Sequence, residues 1–179
     1  MRIAIDISPI SMKSSSAHKV RGVGAYINML VTNLPKFDKK NEYIFVEDKN
    51  FPLNVGLIHY PYFDPFFITL PNKFQTKTVV TVHDLTPLVF SEHFPAGIRG
   101  KVKWLIQKSR LKKADIVIAD SECSKRDIER IVGLEEERVK VVYLAANEQF
   151  KKLEIEQKFN IPDKFLLYVG DATWNKNLP

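Results

Sequence analysis

The sequence has little cysteine and no long apolar run, and each shortage excludes a class of protein. One cysteine, Cys123, cannot form an internal disulfide, and one thiol with four scattered histidines gives no zinc-finger spacing. No apolar run approaches the roughly 18 residues that a membrane span requires. The opening MRIAIDISPI lacks the charged flank, long apolar stretch and cleavage site of a signal peptide. We therefore expect a cytoplasmic protein in a reducing compartment.

The composition is that of an ordinary globular chain. Its 179 residues are 45% hydrophobic and 27% charged, which excludes collagen, coiled coil and general disorder. With 27 basic and 21 acidic side chains, the formal net charge is +6. A chain of this length and composition can bury a core, and the excess of positive charge is modest.

Short apolar runs alternate with helical segments along most of the chain. This alternation is typical of a parallel sheet covered by helices on both faces, so we predict an α/β fold with a doubly wound parallel sheet. The periodicity predicts strands at 2–8, 42–48, 56–60, 78–84, 115–121 and 139–145, and helices at 22–34, 96–113 and 122–131.

The chain changes character near residue 150. We expect one domain over 1–150, a charged linker over 151–164, and a further strand at 165–171 that opens a second domain, truncated at 179. A single strand followed by a loop cannot bury its own apolar faces. We therefore expect the last segment to pair with another chain or to fray.

Five polar residues stand at the carboxyl ends of predicted strands, where ligands bind in open parallel sheets. His59, His83 with Asp84, and Asp120 with Ser121 end the third, fourth and fifth strands. His83 is the candidate catalytic residue, because an imidazole there can hydrogen-bond sugar hydroxyls or phosphate. The alternatives are structural: strand-end hydrogen bonds for the two histidines, a turn brace for Asp84 and a helix N-cap for Ser121.

Two glycines, Gly22 and Gly24, lie where the first helix is predicted to begin. A helix N-terminus offers free N–H groups and a positive dipole end to a phosphate, and glycine lets an anion approach. The dinucleotide-binding fingerprint is not met, since its third glycine position holds Ile27. Two interpretations remain: the glycines form a phosphate-binding site, or they only avoid steric crowding where the helix begins.

Two further segments have unusual compositions. The stretch 60–74 contains six aromatic residues among three prolines, suited to stacking on a sugar ring, to sheltering a lipid tail or to packing on the core. The stretch 99–113 has seven basic residues and no acidic one. Its periodicity predicts that one stripe faces the sheet, formed by Ile98, Val102, Leu105, Ile106 and Ser109. Trp104 and Leu111 would then face outward between lysines, toward an anionic membrane or simply toward solvent.

In their order along the chain, several segments resemble the amino-terminal half of a retaining glycosyltransferase of the group 1 (family 4) type. That family has two Rossmann-like domains in the GT-B arrangement. The matching segments are MRIAIDIS, RGVGAYI, the HYPYF loop, TVHDLTPL, ADIVIADSECSKRDI and the closing FLLYVGDATWNKNLP.

The resemblance implies a retaining transfer of a sugar, with mannose one candidate, from a GDP- or UDP-linked donor to a glycan or lipid-linked acceptor. It implies that Gly22 meets the donor diphosphate, that His83 lies beside the transferred sugar, and that Lys176 contacts phosphate. It implies no cofactor, no metal and no nucleic acid. The family's paired-glutamate motif would lie beyond residue 179, so we expect residues 1–179 alone to fold without transferring sugar.

Two alternatives remain open from the sequence. One is a segment that only binds an acceptor, or the inner face of a membrane, without turnover. The other is a different nucleotide-binding Rossmann enzyme, which the missing three-glycine signature disfavours.

Overall fold

The computed structural model describes residues 1–11, 22–147, 150–151, 162 and 164–178. The chain divides into two compact units, Met1–Ala145 and Ala146–Pro179. Most of the segment expected to be a linker, 151–164, lies outside the described residues, as does most of the loop 9–21.

The first unit is built on a six-stranded parallel sheet. Its spatial order is β2-β1-β3-β4-β5-β6, and every neighbouring pair runs parallel. The strands are β1 (Arg2–Asp6), β2 (Glu42–Val46), β3 (Leu57–Tyr60), β4 (Lys77–Val82), β5 (Ile116–Ala119) and β6 (Val139–Val141).

Helices connect several of these strands. They are α1 (Gly22–Phe37), α2 (Thr86–Val89), α3 (Gly97–Leu111) and α4 (Glu122–Asp127), with a π-helical turn at Ile128–Val132 and 3-10 turns at Ser8–Ile10, Glu136–Arg138 and Trp174–Lys176. Right-handed crossovers put α1 on one face of the sheet and α3 and α4 on the other, because the chain reverses direction across the sheet between β2 and β3. The predicted α/β fold is therefore confirmed as a Rossmann-like, doubly wound parallel sheet.

The core lies on both faces of the central strands. Ile5 in β1, Ile58 in β3, Val80 in β4 and Val117 in β5 are fully buried. A strand that is buried on both faces consists of consecutive apolar residues without polar alternation. Such runs are visible in the sequence, so these strands could be predicted from it.

The orientation predicted for α3 was wrong. Ile98, Val102, Leu105 and Ile106 are exposed, by 84, 52, 66 and 39%. Leu111 is fully buried, and Trp104 packs against the core. The helix has apolar residues on two opposite sides, and periodicity alone does not tell which side faces the sheet.

Gln107 explains why the Trp104 side is the inner one. Its side chain is fully buried, and its Nε2 donates to the Asp64 carbonyl at 3.1 Å and to Thr69 Oγ1 at 2.6 Å. Its Oε1 accepts from the Leu70 backbone N–H at 3.4 Å. The amide ties α3 to the loop between β3 and β4, so these polar groups are buried with partners.

Replacing Gln107 with leucine is expected to lower the free energy of unfolding by about 2 kcal/mol, because the loop groups lose their partners inside the protein. The measurement is urea unfolding followed by circular dichroism. Gln75→Leu is the matched control, since Gln75 is exposed, and should change stability by less than about 0.5 kcal/mol. Equal effects of the two substitutions would contradict the role given to Gln107.

The predicted strands agree with the observed ones to within two residues at each end, with two exceptions. The sixth ends at Val141, and Val142, Tyr143 and Leu144 beyond it are exposed. The strand expected at 165–171 is absent: residues 165–169 have no regular structure and are exposed. A strand needs a neighbour for its backbone N–H and C=O groups, and no ladder involving this segment occurs among the described residues.

Within the described ranges, every helix is too short or too polar to cross a membrane.

Candidate functional site

The candidate site is assembled at the carboxyl edge of the sheet by the pairing of β4 with β5. Val82 pairs with Ala119 in the parallel ladder, so the next residues, His83 and Asp120, lie side by side. His83 Nδ1 is 2.6 Å from Asp120 Oδ2. Both side chains are partly accessible, at 19 and 16%. The register of two neighbouring strands thus creates a histidine–carboxylate pair on the edge where ligands bind in such sheets.

The His83 ring and backbone are held by further contacts. Nε2 is 3.2 Å from the Pro61 carbonyl oxygen, in the loop after β3. Ser124 Oγ, in α4, donates to the His83 carbonyl at 2.9 Å. Contacts from β5, α4 and the loop after β3 therefore fix the position of the imidazole.

Both ring nitrogens of His83 face an acceptor oxygen. A protonated ring donates to both, whereas a neutral ring has a single N–H. When that N–H is on Nδ1 and donates to Asp120, Nε2 carries a lone pair and is able to accept from a hydroxyl group. The hydrogen bond to Asp120 thus favours the tautomer in which Nε2 is the ring nitrogen available to a ligand.

Tyr26 brings the first helix to this pair. Its ring stands edge-on to the His83 ring, with centroids 4.9 Å apart and an interplanar angle of 87°. Its hydroxyl lies 3.3 Å from Thr81 Oγ1, and burial raises the pKa of Tyr26 above 10.0. A neutral phenol therefore packs against His83, one turn beyond the start of α1.

Gly22 and Gly24 lie at that start. Gly22 is the first residue of α1, and a Cβ built on it would meet nothing within 4 Å. Gly24 is buried, and the first turn of α1 has no acidic residue. There is thus open space beside Gly22 and no acidic side chain in the first turn. A phosphate contact here stays a prediction.

His59 is close to the pair but inside the protein. It is buried, and its Nε2 lies 2.8 Å from Thr81 Oγ1, the oxygen that Tyr26 also contacts. Burial, with a smaller contribution from the nearby His83, lowers the pKa of His59 to about 4. The imidazole is therefore neutral at physiological pH, and it contacts Thr81 from the interior of the protein.

We expect His59 to make the folded state sensitive to acid. Its folded-state pKa of about 4 is below the ordinary 6.5, so between these values the unfolded chain binds the extra proton and stability falls as pH falls. Between pH 6.5 and 4.5 this costs about 2 kcal/mol. Urea unfolding at both pH values should show that difference in the wild type and lose it in His59→Gln. Equal pH dependence in the two proteins would contradict this assignment.

Asp84 and Ser121 make local contacts. Asp84 Oδ1 accepts from the Thr86 backbone N–H at 2.8 Å and braces the turn into α2. Ser121 is the N-cap of α4, and its Oγ accepts from the Ser124 N–H at 3.1 Å. Both contacts support the structural alternatives, and contact of either residue with substrate stays a prediction.

The aromatic loop 60–74 divides between core and surface. Tyr60, Phe63 and Leu70 are buried, whereas Phe67 is exposed. Packing on the core thus accounts for part of its apolar content. Lys176, the expected phosphate contact, is exposed in the second unit, and its role stays a prediction.

The described part of the chain contains no group of three His, Cys, Asp or Glu residues close enough to hold a metal ion. Cys123 is exposed and forms no disulfide. The expectation that no metal or cofactor takes part stays a prediction.

Asp120 stands at the end of a predicted strand, but no role was predicted for it, and none was predicted for Tyr26 or Thr81. A signal for Asp120 existed. The fourth and fifth strands are consecutive and parallel, so the residues that follow them are neighbours if the strands pair in register. For Tyr26 no such signal existed, because its contact depends on how α1 packs on the sheet.

Comparison with known proteins gives the site its context. Three curated relatives, each named serotype-specific mannosyltransferase WbdA and from Escherichia coli, are 22% identical to the chain over 124 residues. The match covers 64% of this chain and 15% of each relative, so the chain spans a small part of their length. The family model described as Glycosyltransferase Family 4 matches residues 20–150, well over half of the chain and including the whole His83 site. The chain belongs to glycosyltransferase family 4.

Proposed function

We propose that this chain takes part in the transfer of a sugar from a GDP- or UDP-linked donor to a glycan or lipid-linked acceptor, with retention of the anomeric configuration. The observation that carries the proposal is the imidazole of His83, held by Asp120 at the sheet edge. The name of the relatives supports mannose as the sugar.

In the proposed mechanism, His83 recognises the transferred sugar. With Nδ1–H committed to Asp120, Nε2 of the neutral ring accepts a hydrogen bond from a hydroxyl of the donor sugar, which replaces the unfavourable approach of its lone pair to the Pro61 carbonyl oxygen. As positive charge develops on the sugar ring, a partly enclosed hydrogen bond of this kind strengthens. Because Asp120 and Tyr26 already hold the ring, little reorganisation is needed when the sugar binds.

In the same mechanism, the start of α1 binds the leaving group. The N-terminus of this 16-residue helix offers free N–H groups and a positive dipole end to the departing diphosphate. Tyr26 links the two functions, since it lies one turn from Gly22 and packs against His83. The diphosphate and the sugar would therefore occupy adjacent positions.

No side chain at the edge has to act as general base. In a front-face transfer the departing phosphate oxygen itself accepts the proton of the acceptor hydroxyl. The protein's task is then to align the acceptor, stabilise the leaving group and exclude water. The loops 9–21 and 60–74 are the proposed acceptor contacts.

The experiment is a transfer assay on the complete gene product, with labelled GDP-mannose and UDP-glucose as alternative donors. We expect one donor to be consumed in the presence of a glycan or lipid-linked acceptor. Nuclear magnetic resonance should show an α-linkage, as in the donor. A β-linked product would contradict retention. Reduction of NAD to NADH by a supplied alcohol, without sugar transfer, would contradict the transferase assignment.

A further inference from the structure

The outer side of α3 carries an apolar surface that no described element covers. The apolar residues of this surface are four, three and one positions apart in the sequence, so they form one stripe along the helix. We call this the outer face; it consists of Ile98, Val102, Leu105 and Ile106, all exposed.

The loop after β3 extends this surface. Phe67 and Ile68 are exposed, by 63 and 44%. Lys103 of α3 lies with its Nζ 5.1 Å from the centroid of the Phe67 ring, so the loop and the helix meet there. Scattered apolar residues on a surface need no explanation, but six large ones on two adjoining elements indicate a contact surface.

Positive charge surrounds the outer face. The helix and the two residues after it contain seven basic side chains and no acidic one. Arg99, Lys101, Lys112 and Lys113 are exposed. On a helical projection Arg99 and Lys101 flank the apolar stripe, one on each side, and Lys112 and Lys113 follow Leu111, the last residue of the helix. The partner must therefore offer an apolar interior and negative charge around it.

The last turns of the helix add a shallow concavity of about 330 Å³. Leu105 and Ile106 form its apolar part, and Asn72, Ser109, Arg110 and Lys113 form its polar part. Apolar and cationic groups thus meet in one depression, a combination that suits an anionic headgroup with its acyl chain.

We propose that the outer face of α3, with Phe67 and Ile68, is the surface through which this protein binds an anionic lipid bilayer. The apolar side chains enter the boundary between headgroups and acyl chains, and the marginal arginine and lysines contact acidic headgroups. A second copy fits less well, because a two-fold contact through this face would bring the same cations together without acidic partners. The inference does not depend on the proposed sugar transfer.

The test is co-sedimentation of the protein with vesicles at low salt. One set contains equal parts of phosphatidylglycerol and phosphatidylcholine, and the other contains phosphatidylcholine alone. We expect binding to the acidic vesicles, weak binding to the neutral ones, and release in about 1 M salt, where charges are screened within about 3 Å.

Two double variants separate the charged and apolar contributions. Arg99→Gln with Lys101→Gln should weaken binding about 30-fold, at about 1 kcal/mol for each basic residue. Ile98→Ser with Leu105→Ser should weaken it at least about tenfold. Both pairs are exposed, so circular dichroism should show unchanged folding.

The matched controls are exposed residues elsewhere: Lys40→Gln with Lys140→Gln, and Phe37→Ser with Leu53→Ser. Controls that bind like the wild type support the proposal. Absence of wild-type binding, or equal loss in the controls, overturns it. So does a dimer in solution that Ile98→Ser with Leu105→Ser dissociates while vesicle binding stays absent.

Discussion

Replacing His83 with alanine is expected to slow sugar transfer by the complete gene product about 30- to 1000-fold while the protein stays folded. The side chain lies at the sheet edge and adds little to the core, so the fold should persist, with the free energy of unfolding lowered by about 1 to 3 kcal/mol because Asp120 loses its partner. A hydrogen bond that strengthens as charge develops is worth roughly 2 to 4 kcal/mol in the transition state. The measurements are kcat and KM with the preferred donor, together with the melting temperature.

The matched control is His93→Ala, which removes an imidazole that is 40% exposed and outside the site; its kcat should equal that of the wild type. His59→Ala should affect activity less than His83→Ala and stability more, since His59 is buried behind Thr81. An His83→Ala protein with normal kcat and a lowered melting temperature would show that His83 is a structural residue only.

The second large effect is expected at Asp120, the positioning residue of His83. Asp120→Asn keeps the size of the side chain and removes the charge that holds Nδ1–H. A hydrogen bond to a charged group is worth about 1.5 to 3 kcal/mol, so kcat should fall about 10- to 100-fold. KM should change little, because Asp120 acts through His83.

A double-mutant cycle distinguishes positioning from a structural role. If Asp120 works only through the imidazole, adding Asp120→Asn to His83→Ala should not lower kcat further. Asp127→Asn is the matched control, since that carboxylate lies in α4 and pairs with Arg130 at 2.7 Å; it should leave kcat unchanged. Additive effects of the two site variants would refute the positioning role.

The sheet could be predicted from the sequence because its strands are buried on both faces. A run such as TVVTV has no polar alternation, and only a parallel sheet covered by helices accommodates such runs repeatedly. The histidine at the end of β4 was identified for the same reason: the end of a buried run marks the edge of the sheet. The local roles of Ser121 and Asp84 follow from short-range contacts, which is why they were among the alternatives weighed from the sequence.

The direction of α3 could not be predicted, because the helix is apolar on two sides and the deciding contacts are distant in sequence. Gln107, a polar residue, marks the inner side through its bonds to Asp64, Thr69 and Leu70. The contact of Tyr26 with His83 likewise depends on packing between elements more than fifty positions apart. Residues 165–169 have the composition of a strand. A strand also needs a neighbouring strand for its backbone hydrogen bonds, and composition does not reveal whether one is present.

The pairing of Val82 with Ala119 has a consequence for how such a protein diversifies. His83 and Asp120 meet because two strands are in register, and the helix between those strands, α3, carries exposed residues that take no part in that meeting. This exposed surface can therefore change through evolution while the imidazole and carboxylate stay in place. Recognition by the outer elements and chemistry at the sheet edge are thus free to change separately.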